Sequence, residues 1–94
     1  GRETKASGES STAMGYQTDA SGAYSTAMGW DTSANSIAST SMGYKTIASG
    51  NYSTAMDEST TASGSASTAM GESTTASDIA STTPGKTVYN KHLT

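Results

Sequence analysis

The chain has 94 residues, of which 32% are hydrophobic, and it contains one Trp, no Phe and no Cys. It lacks the aliphatic and aromatic side chains of an ordinary globular core, and its composition alone is typical of a disordered linker rich in Ser, Thr, Gly and Ala. Only 14% of the residues are charged and the formal net charge is −3, which leaves no basic surface for nucleic acid and no polybasic membrane anchor. No apolar run approaches the roughly 18–20 residues of a membrane span.

A strict repeat of 14 residues contradicts the linker interpretation. The period runs from Thr4 to Gly85 without insertion or deletion, and disordered sequence has no need for such regularity. We call each set of positions that recurs every 14 residues a column. The repeat is carried by Ala13-Met14-Gly15, Ala27-Met28-Gly29, Ser41-Met42-Gly43, Ala55-Met56-Asp57 and Ala69-Met70-Gly71, and between them by Thr4-x-Ala6, Thr18-x-Ala20, Thr32-x-Ala34, Thr46-x-Ala48, Thr60-x-Ala62 and Thr74-x-Ala76.

Each repeat divides into two seven-residue halves, for example residues 18–22 (Thr-x-Ala-x-Gly) and 25–29 (Ser-x-Ala-x-Gly). The alternation predicts that each half is a short strand closed by a glycine turn, because glycine accepts the positive φ of a sharp corner. Two strands and two corners make one flattened coil, and successive coils stack through parallel hydrogen bonds. The most constant columns hold only Ala, Ser and Thr, so we expect them inside a narrow roll, where the hydroxyl groups need partners.

The outward face of the second strand carries Met beside Thr. Stacked coils are about 4.8 Å apart, so the methionines form an apolar stripe roughly 20 Å long. A single roll leaves this stripe in water and has a core too thin to fold alone. The sequence therefore predicts a closed trimer that buries three stripes around one axis. The predicted trimer core consists of Met14, Met28, Met42, Met56 and Met70.

The half-repeats at 25–29 (Ser-Thr-Ala-Met-Gly) and 18–22 (Thr-Asp-Ala-Ser-Gly) resemble the head repeats of YadA-type trimeric autotransporter adhesins. The resemblance covers residues 4 to about 85. It implies an all-β fold, a left-handed parallel β-roll (solenoid) in each protomer, with three rolls packed about the fibre axis. Heads of this family usually carry Val and Ile in the two columns where this chain has Thr and Met. The repeats are also similar to those of phage tail fibres, so an autotransporter membrane anchor is not implied.

The resemblance implies a non-catalytic module that attaches a bacterial or phage surface fibre to a target surface. Its expected location is extracellular, on the bacterial outer surface. The expected partners are two further copies of the chain and an extracellular protein or glycan receptor, without nucleic acid, cofactor or direct membrane insertion. A purely structural spacer is the alternative. Ice binding by a Thr array is a further one, although the outward column of the first strand (Lys5, Asp19, Ser33, Ile47, Thr61, Thr75) is not uniform.

The repeat pattern breaks near the C-terminal end of the chain. Val88 and Asn90 occupy the Thr and Ala columns of the seventh coil, so we expect roll repeats over residues 1–85 and a roll terminus, or the start of a neck, over residues 86–94. Residues 78–85 resemble the start of the family's neck, and residues 88–93 resemble its end. With no signal peptide in the sequence, a surface location requires that the chain be a fragment of a longer fibre.

Aromatic residues are the candidate ligand-binding residues. Tyr16, Trp30 and Tyr44 occupy one column on successive coils and are expected to stack, while Tyr24 and Tyr52 lie in a column of the opposite corner. Aromatic platforms bind sugars and extended peptides through flat apolar area with a polar tip. Packing that only supports the ladder of strands is the alternative explanation.

The other candidates do not form a chemical site. Glu58 and Glu72 are neighbours in one column, but two carboxylates without further oxygen ligands are a poor calcium site. Asp57 replaces a turn glycine and is expected to adjust the corner. His92 is the single histidine and has neither Cys nor a paired carboxylate in the repeat frame, so it builds no metal site and no catalytic triad. The sequence therefore predicts no catalytic residue, no metal ligand and no enzyme activity.

Overall fold

In a computed structural model, residues 2–83 form a parallel β-solenoid that contains no helix. The strands are, in chain order, β1 (Lys5–Ala6), β2 (Thr12–Tyr16), β3 (Asp19–Ala20), β4 (Thr26–Trp30), β5 (Ser33–Ala34), β6 (Thr40–Tyr44), β7 (Ile47–Ala48), β8 (Thr54–Glu58), β9 (Thr61–Ala62), β10 (Thr68–Met70), β11 (Thr75–Ala76) and β12 (Thr82–Thr83). The predicted boundary at residue 85, the segment 86–94 and His92 lie outside the described residues.

The strands form two six-stranded parallel sheets. The odd-numbered strands, of two residues each, make one sheet in the order β1-β3-β5-β7-β9-β11, and the longer even-numbered strands make the other in the order β12-β10-β8-β6-β4-β2. Every pairing joins residues 14 positions apart, so that Ala27 pairs with Ala13 and Ser41. The predicted coil of 14 residues is confirmed, with each column stacked on itself.

The space between the two sheets holds only small side chains. Ala20, Ala27, Ala34, Ala48, Ala55, Ala62 and Ala69 have no exposed surface, and the largest fully buried side chains among the described residues are threonines. This interior confirms the predicted small-residue columns. Because the interior contains only small side chains, the hydrophobic stabilisation of a single roll comes mainly from buried methyl groups. Each buried carbon of this kind stabilises the fold by about 0.8 kcal/mol.

Buried hydroxyl groups bond mainly to the corner backbone. Ser53 Oγ donates to the Gly50 carbonyl at 2.6 Å and Thr60 Oγ1 to the Met56 carbonyl at 3.1 Å, and the same bonds recur for Ser39, Ser67, Thr46 and Thr74. Ser41 Oγ also lies within hydrogen-bond distance of two Thr46 atoms, Oγ1 at 2.6 Å and the carbonyl oxygen at 3.0 Å. The prediction that the hydroxyls find partners is wrong for three of them: Thr18 Oγ1, Ser25 Oγ and Thr32 Oγ1 are buried without a hydrogen bond within residues 2–83.

The corners correct the predicted role of one glycine column. Gly29 has the expected positive φ of 116°, but Gly22 does not, and the left-handed residue of its corner is Tyr24 with φ 60°. Gly22 leaves no space for a side chain on its present backbone, because a Cβ there would lie 2.1 Å from the Ser36 carbonyl oxygen of the next coil. Ser36 and Asp78 occupy the same column, so the corner accommodates a side chain at other coils.

Two substitutions in the Gly29 column test this account of the corners. Gly29→Ala places a Cβ 2.2 Å from the Gly43 carbonyl oxygen at φ 116°, so we expect a loss of about 2 kcal/mol or more in unfolding free energy. Asp57→Gly relieves an aspartate at φ 92° and should raise stability by about 1 kcal/mol. Urea unfolding followed by circular dichroism measures both, and equal destabilisation by the two changes would contradict the account.

Candidate ligand-binding surfaces

The first candidate surface is an aromatic ladder formed by Tyr16, Trp30 and Tyr44. These residues end β2, β4 and β6, where in-register pairing places them on adjacent coils. The Tyr16 and Trp30 ring centroids are 5.9 Å apart at an interplanar angle of 9°, and those of Trp30 and Tyr44 are 4.7 Å apart at 11°. The predicted stacking of the three rings is confirmed.

Two cations cover further parts of the ladder. The Arg2 guanidinium carbon lies 5.9 Å from the centroid of the Tyr16 ring, and Lys45 Nζ lies 5.8 Å from that of Trp30 and 5.5 Å from that of Tyr44. Ring faces in the ladder are thus occupied by neighbouring rings and by cations, each worth about 0.5–1.5 kcal/mol. The ladder supports the stacking of coils and presents ring edges to a ligand more than ring faces.

Charged groups surround the ladder, and we call this side of the roll the charged corner (residues 2–3, 16–17, 30–31, 44–45, 58–59 and 72–73). Gln17 Nε2 donates to Glu3 Oε1 at 3.0 Å. Glu58 and Glu72 are exposed, and no group of three or more metal-ligating side chains occurs within residues 2–83. The two glutamates are solvated surface charges in this arrangement.

The second candidate surface lies on the other corner of the roll. We call its four middle coils, residues 22–24, 36–38, 50–52 and 64–66, the neutral corner, because none of their side chains is charged. Glu9 lies on the coil before them and Asp78 on the coil after them. Tyr24, Ile37 and Tyr52 are 58%, 44% and 62% exposed. The five predicted aromatic residues therefore lie on two separate surfaces, as their columns predicted. Ile37 is not among the residues predicted from the sequence, although it lies beside the tyrosine column.

Tyr24 and Tyr52 have left-handed backbones, with φ of 60° and 62°. A bulky residue rarely adopts this conformation, which costs of order 1–3 kcal/mol. Ala38 and Ala66 take the same corner position with φ of 52° and 59°. The corner therefore forms equally well with alanine at this position, and the tyrosine side chains contribute little to folding.

The third surface is the outward face of the even-numbered strands. In-register pairing stacks Met14, Met28, Met42, Met56 and Met70 in one line beside the Thr column. Met14 is 50% exposed, and the other four are partly buried. The predicted apolar stripe is thus present on the outside of the roll.

A comparison with known families decides what kind of roll this is. The sequence pattern of the YadA head domain repeat matches the chain in two copies, at residues 6–32 and 34–56, which together are more than half of the 94 residues. The chain belongs to the YadA head repeat family. No curated protein and no solved structure matches it.

The family match and the coils differ in extent. The match to the YadA head repeat ends at Met56, directly before Asp57 and Glu58 replace the glycine and aromatic residue of the preceding coils. The roll itself continues through β12 to Thr83. Residues 2–83 also contain no helix with the length and apolar character needed to cross a membrane.

The two aromatic surfaces should differ in their effect on stability. Trp30→Ala removes two stacked pairs and a cation–π contact, and we expect it to lower the unfolding free energy by about 2 kcal/mol. The next coil already has alanine, Ala38, at the corner position of Tyr24. Tyr24→Ala should therefore change the unfolding free energy by less than about 0.5 kcal/mol. Chemical denaturation compares the two variants, and a larger loss for Tyr24→Ala would contradict the assignment of the ladder to structural support.

Proposed function

We propose that this chain is a head segment of a homotrimeric surface fibre that attaches a bacterium or a phage to a target surface. The observation that carries the proposal is the in-register stripe of five methionines on a roll that belongs to the YadA head repeat family. Heads of this family belong to trimeric autotransporter adhesins. The left hand of the coil stays a prediction from the same resemblance.

The balance of burial supports association of three copies. The interior of one roll contains Ala, Ser and Thr, whereas the larger apolar side chains lie outside it. Contiguous exposed apolar surface is a mark of protein–protein contact, and a closed ring of copies buries the stripe without creating an open-ended filament. Met side chains adapt to irregular gaps, so three stripes can pack even where the family usually has Val and Ile.

Attachment is the role we assign to the aromatic residues of the two corners. Tyr16, Trp30, Tyr44, Tyr24 and Tyr52 are the candidate contacts with an extracellular protein or glycan receptor. Association through Met leaves both corners outside the predicted trimer core. An extracellular location on the bacterial outer surface follows from the adhesin family, and we propose no catalytic activity and no cofactor. A spacer segment that binds nothing is the alternative.

The trimer is tested by placing a charge on the predicted axis. We expect a trimer at micromolar concentration for the unchanged chain, and dissociation or unfolding for Met42→Asp, since three carboxylates would be buried together. Ile47→Asp is the matched control, because Ile47 is 41% exposed on the opposite sheet, and it should stay trimeric. Light scattering after size-exclusion chromatography gives the mass of each variant. The proposal would be wrong if the chain without substitutions were a monomer.

Attachment and spacing are separated by a binding screen. The trimer is immobilised and screened against a glycan array and a set of extracellular matrix proteins, with Trp30→Ala and the double variant Tyr24→Ala/Tyr52→Ala in parallel. We expect at least one specific ligand whose binding falls about tenfold or more in one of these variants, a loss typical of an aromatic contact residue. Absence of any specific ligand would favour the spacer.

A further inference from the structure

We propose that the neutral corner binds an uncharged, extended polysaccharide chain that runs along the fibre axis, with Tyr24 and Tyr52 as its two ring contacts. The inference rests on the proposed attachment function and assigns it a site and a ligand class. It separates this corner from the aromatic ladder, in which rings and cations already occupy ring faces.

Folding does not account for the two tyrosines. Their side chains are 58% and 62% exposed, and the stacked ring pairs within residues 2–83 involve only the ladder. Both have a left-handed backbone that disfavours bulky residues, in a column that holds Ala at neighbouring coils. The left-handed backbone itself recurs at the corners of the other coils and belongs to the fold. What the fold does not require at this position is a ring, since Ala38 and Ala66 fill it with the same backbone.

The corner backbone holds these rings on a rigid support. The Tyr24 amide donates to the Glu9 carbonyl at 2.7 Å, the Ala38 amide to the Ala23 carbonyl at 2.7 Å, and the Tyr52 amide to the Ile37 carbonyl at 2.8 Å. Each tyrosine is thereby fixed to the preceding coil. A binding surface whose backbone is ordered before the ligand arrives loses less entropy on binding.

The spacing of the tyrosines favours a sugar chain. Tyr24 and Tyr52 are two coils apart, which is about 9.5 Å for coils separated by about 4.8 Å. Two units of an extended β-1,4-linked chain span nearly this distance, so every second sugar can stack on a ring while the sugar between them passes over Ile37 and Ala38. An extended peptide repeats the side chains of one face every 6.6–6.8 Å or so, which does not match.

The absence of charge selects the kind of sugar. The neutral corner offers tyrosine hydroxyls, Asn51, Ser65 and apolar Ile37, but no Lys or Arg. Sulfated and sialylated chains are normally held by such cations, in charge-assisted pairs. Rings with a few neutral polar groups fit an uncharged sugar, whose C–H faces pack on aromatic rings and whose hydroxyl groups bond to neutral partners.

The test measures binding of the 94-residue chain to cellohexaose and chitohexaose by isothermal titration calorimetry, with a sulfated heparin hexasaccharide and cellobiose as comparisons. We expect binding of at least one neutral hexasaccharide, no detectable binding of the sulfated one, and at least tenfold weaker binding of the disaccharide, which reaches only one ring. Tyr24→Ala and Tyr52→Ala should each weaken binding about tenfold, while thermal stability and trimer mass stay unchanged. Ile79→Ala is the matched control, because Ile79 is 80% exposed in the Ile37 column beyond the tyrosines, and it should bind normally.

Three results would overturn the inference. The first is that neither neutral hexasaccharide binds. If the wider screen then finds another ligand, the proposed attachment function still holds and only the ligand class is wrong. Loss of hexasaccharide binding in Trp30→Ala but not in the tyrosine variants would move the site to the ladder. A fall in trimer stability in Tyr24→Ala or Tyr52→Ala would identify the tyrosines as contacts between protomers.

Discussion

The narrow gap between the two sheets is the constraint on which the rest of this molecule depends. Only Ala, Ser and Thr fit between the short and the long strands, and they are buried completely in most coils. A roll built in this way cannot collect large apolar side chains in its interior. Methionines, aromatic residues and isoleucines must therefore lie outside, where they stabilise through stacking, association or binding instead of through a core.

Stacking at the spacing of a parallel sheet makes each column interact mainly with itself. Met stacks on Met, and Tyr16, Trp30 and Tyr44 stack as rings. The corners repeat in the same way: the amides of left-handed residues such as Asp31 and Tyr52 donate to carbonyl groups of the preceding coil at 2.8–2.9 Å. Left-handed backbones at non-glycine residues are thus held by neighbours, which ties the stability of each coil to the adjacent ones.

The period alone predicted most of the fold. The 14-residue coil, the small interior columns, the aromatic stack and the outward methionines follow from alternation and register, because a stacked sheet repeats its sequence spacing in space. The conformation of the corners did not follow. Glycine at position 22 reflects the closeness of the next backbone, and the positive φ falls on Tyr24 instead, which depends on corner hydrogen bonds that a column pattern does not reveal. The unpaired hydroxyl of Thr18 depends on side-chain geometry in the same way.

The division of the candidate aromatic residues between two corners followed from their columns, but the surroundings of their rings did not. The stacking of the ladder rings could be predicted from their shared column alone. The positions of Arg2 and Lys45 over the rings could not, because they depend on the conformations of two long side chains. Tyr24 and Tyr52 have the same residue type as the ladder but a different environment, without charge and without stacked partners. Side-chain environment, more than residue type, distinguishes the two aromatic surfaces.

We propose that the methionine face, and not the opposite sheet, lies at the axis of three copies. The chain has no Cys, so single nitroxide labels can be placed at Met42→Cys or at Ile47→Cys and their separations compared by pulsed electron paramagnetic resonance. We expect one short distance between protomers for the label at position 42 and a clearly longer one for the label at position 47. A shorter distance for Ile47, or no dipolar coupling at either position, would contradict it.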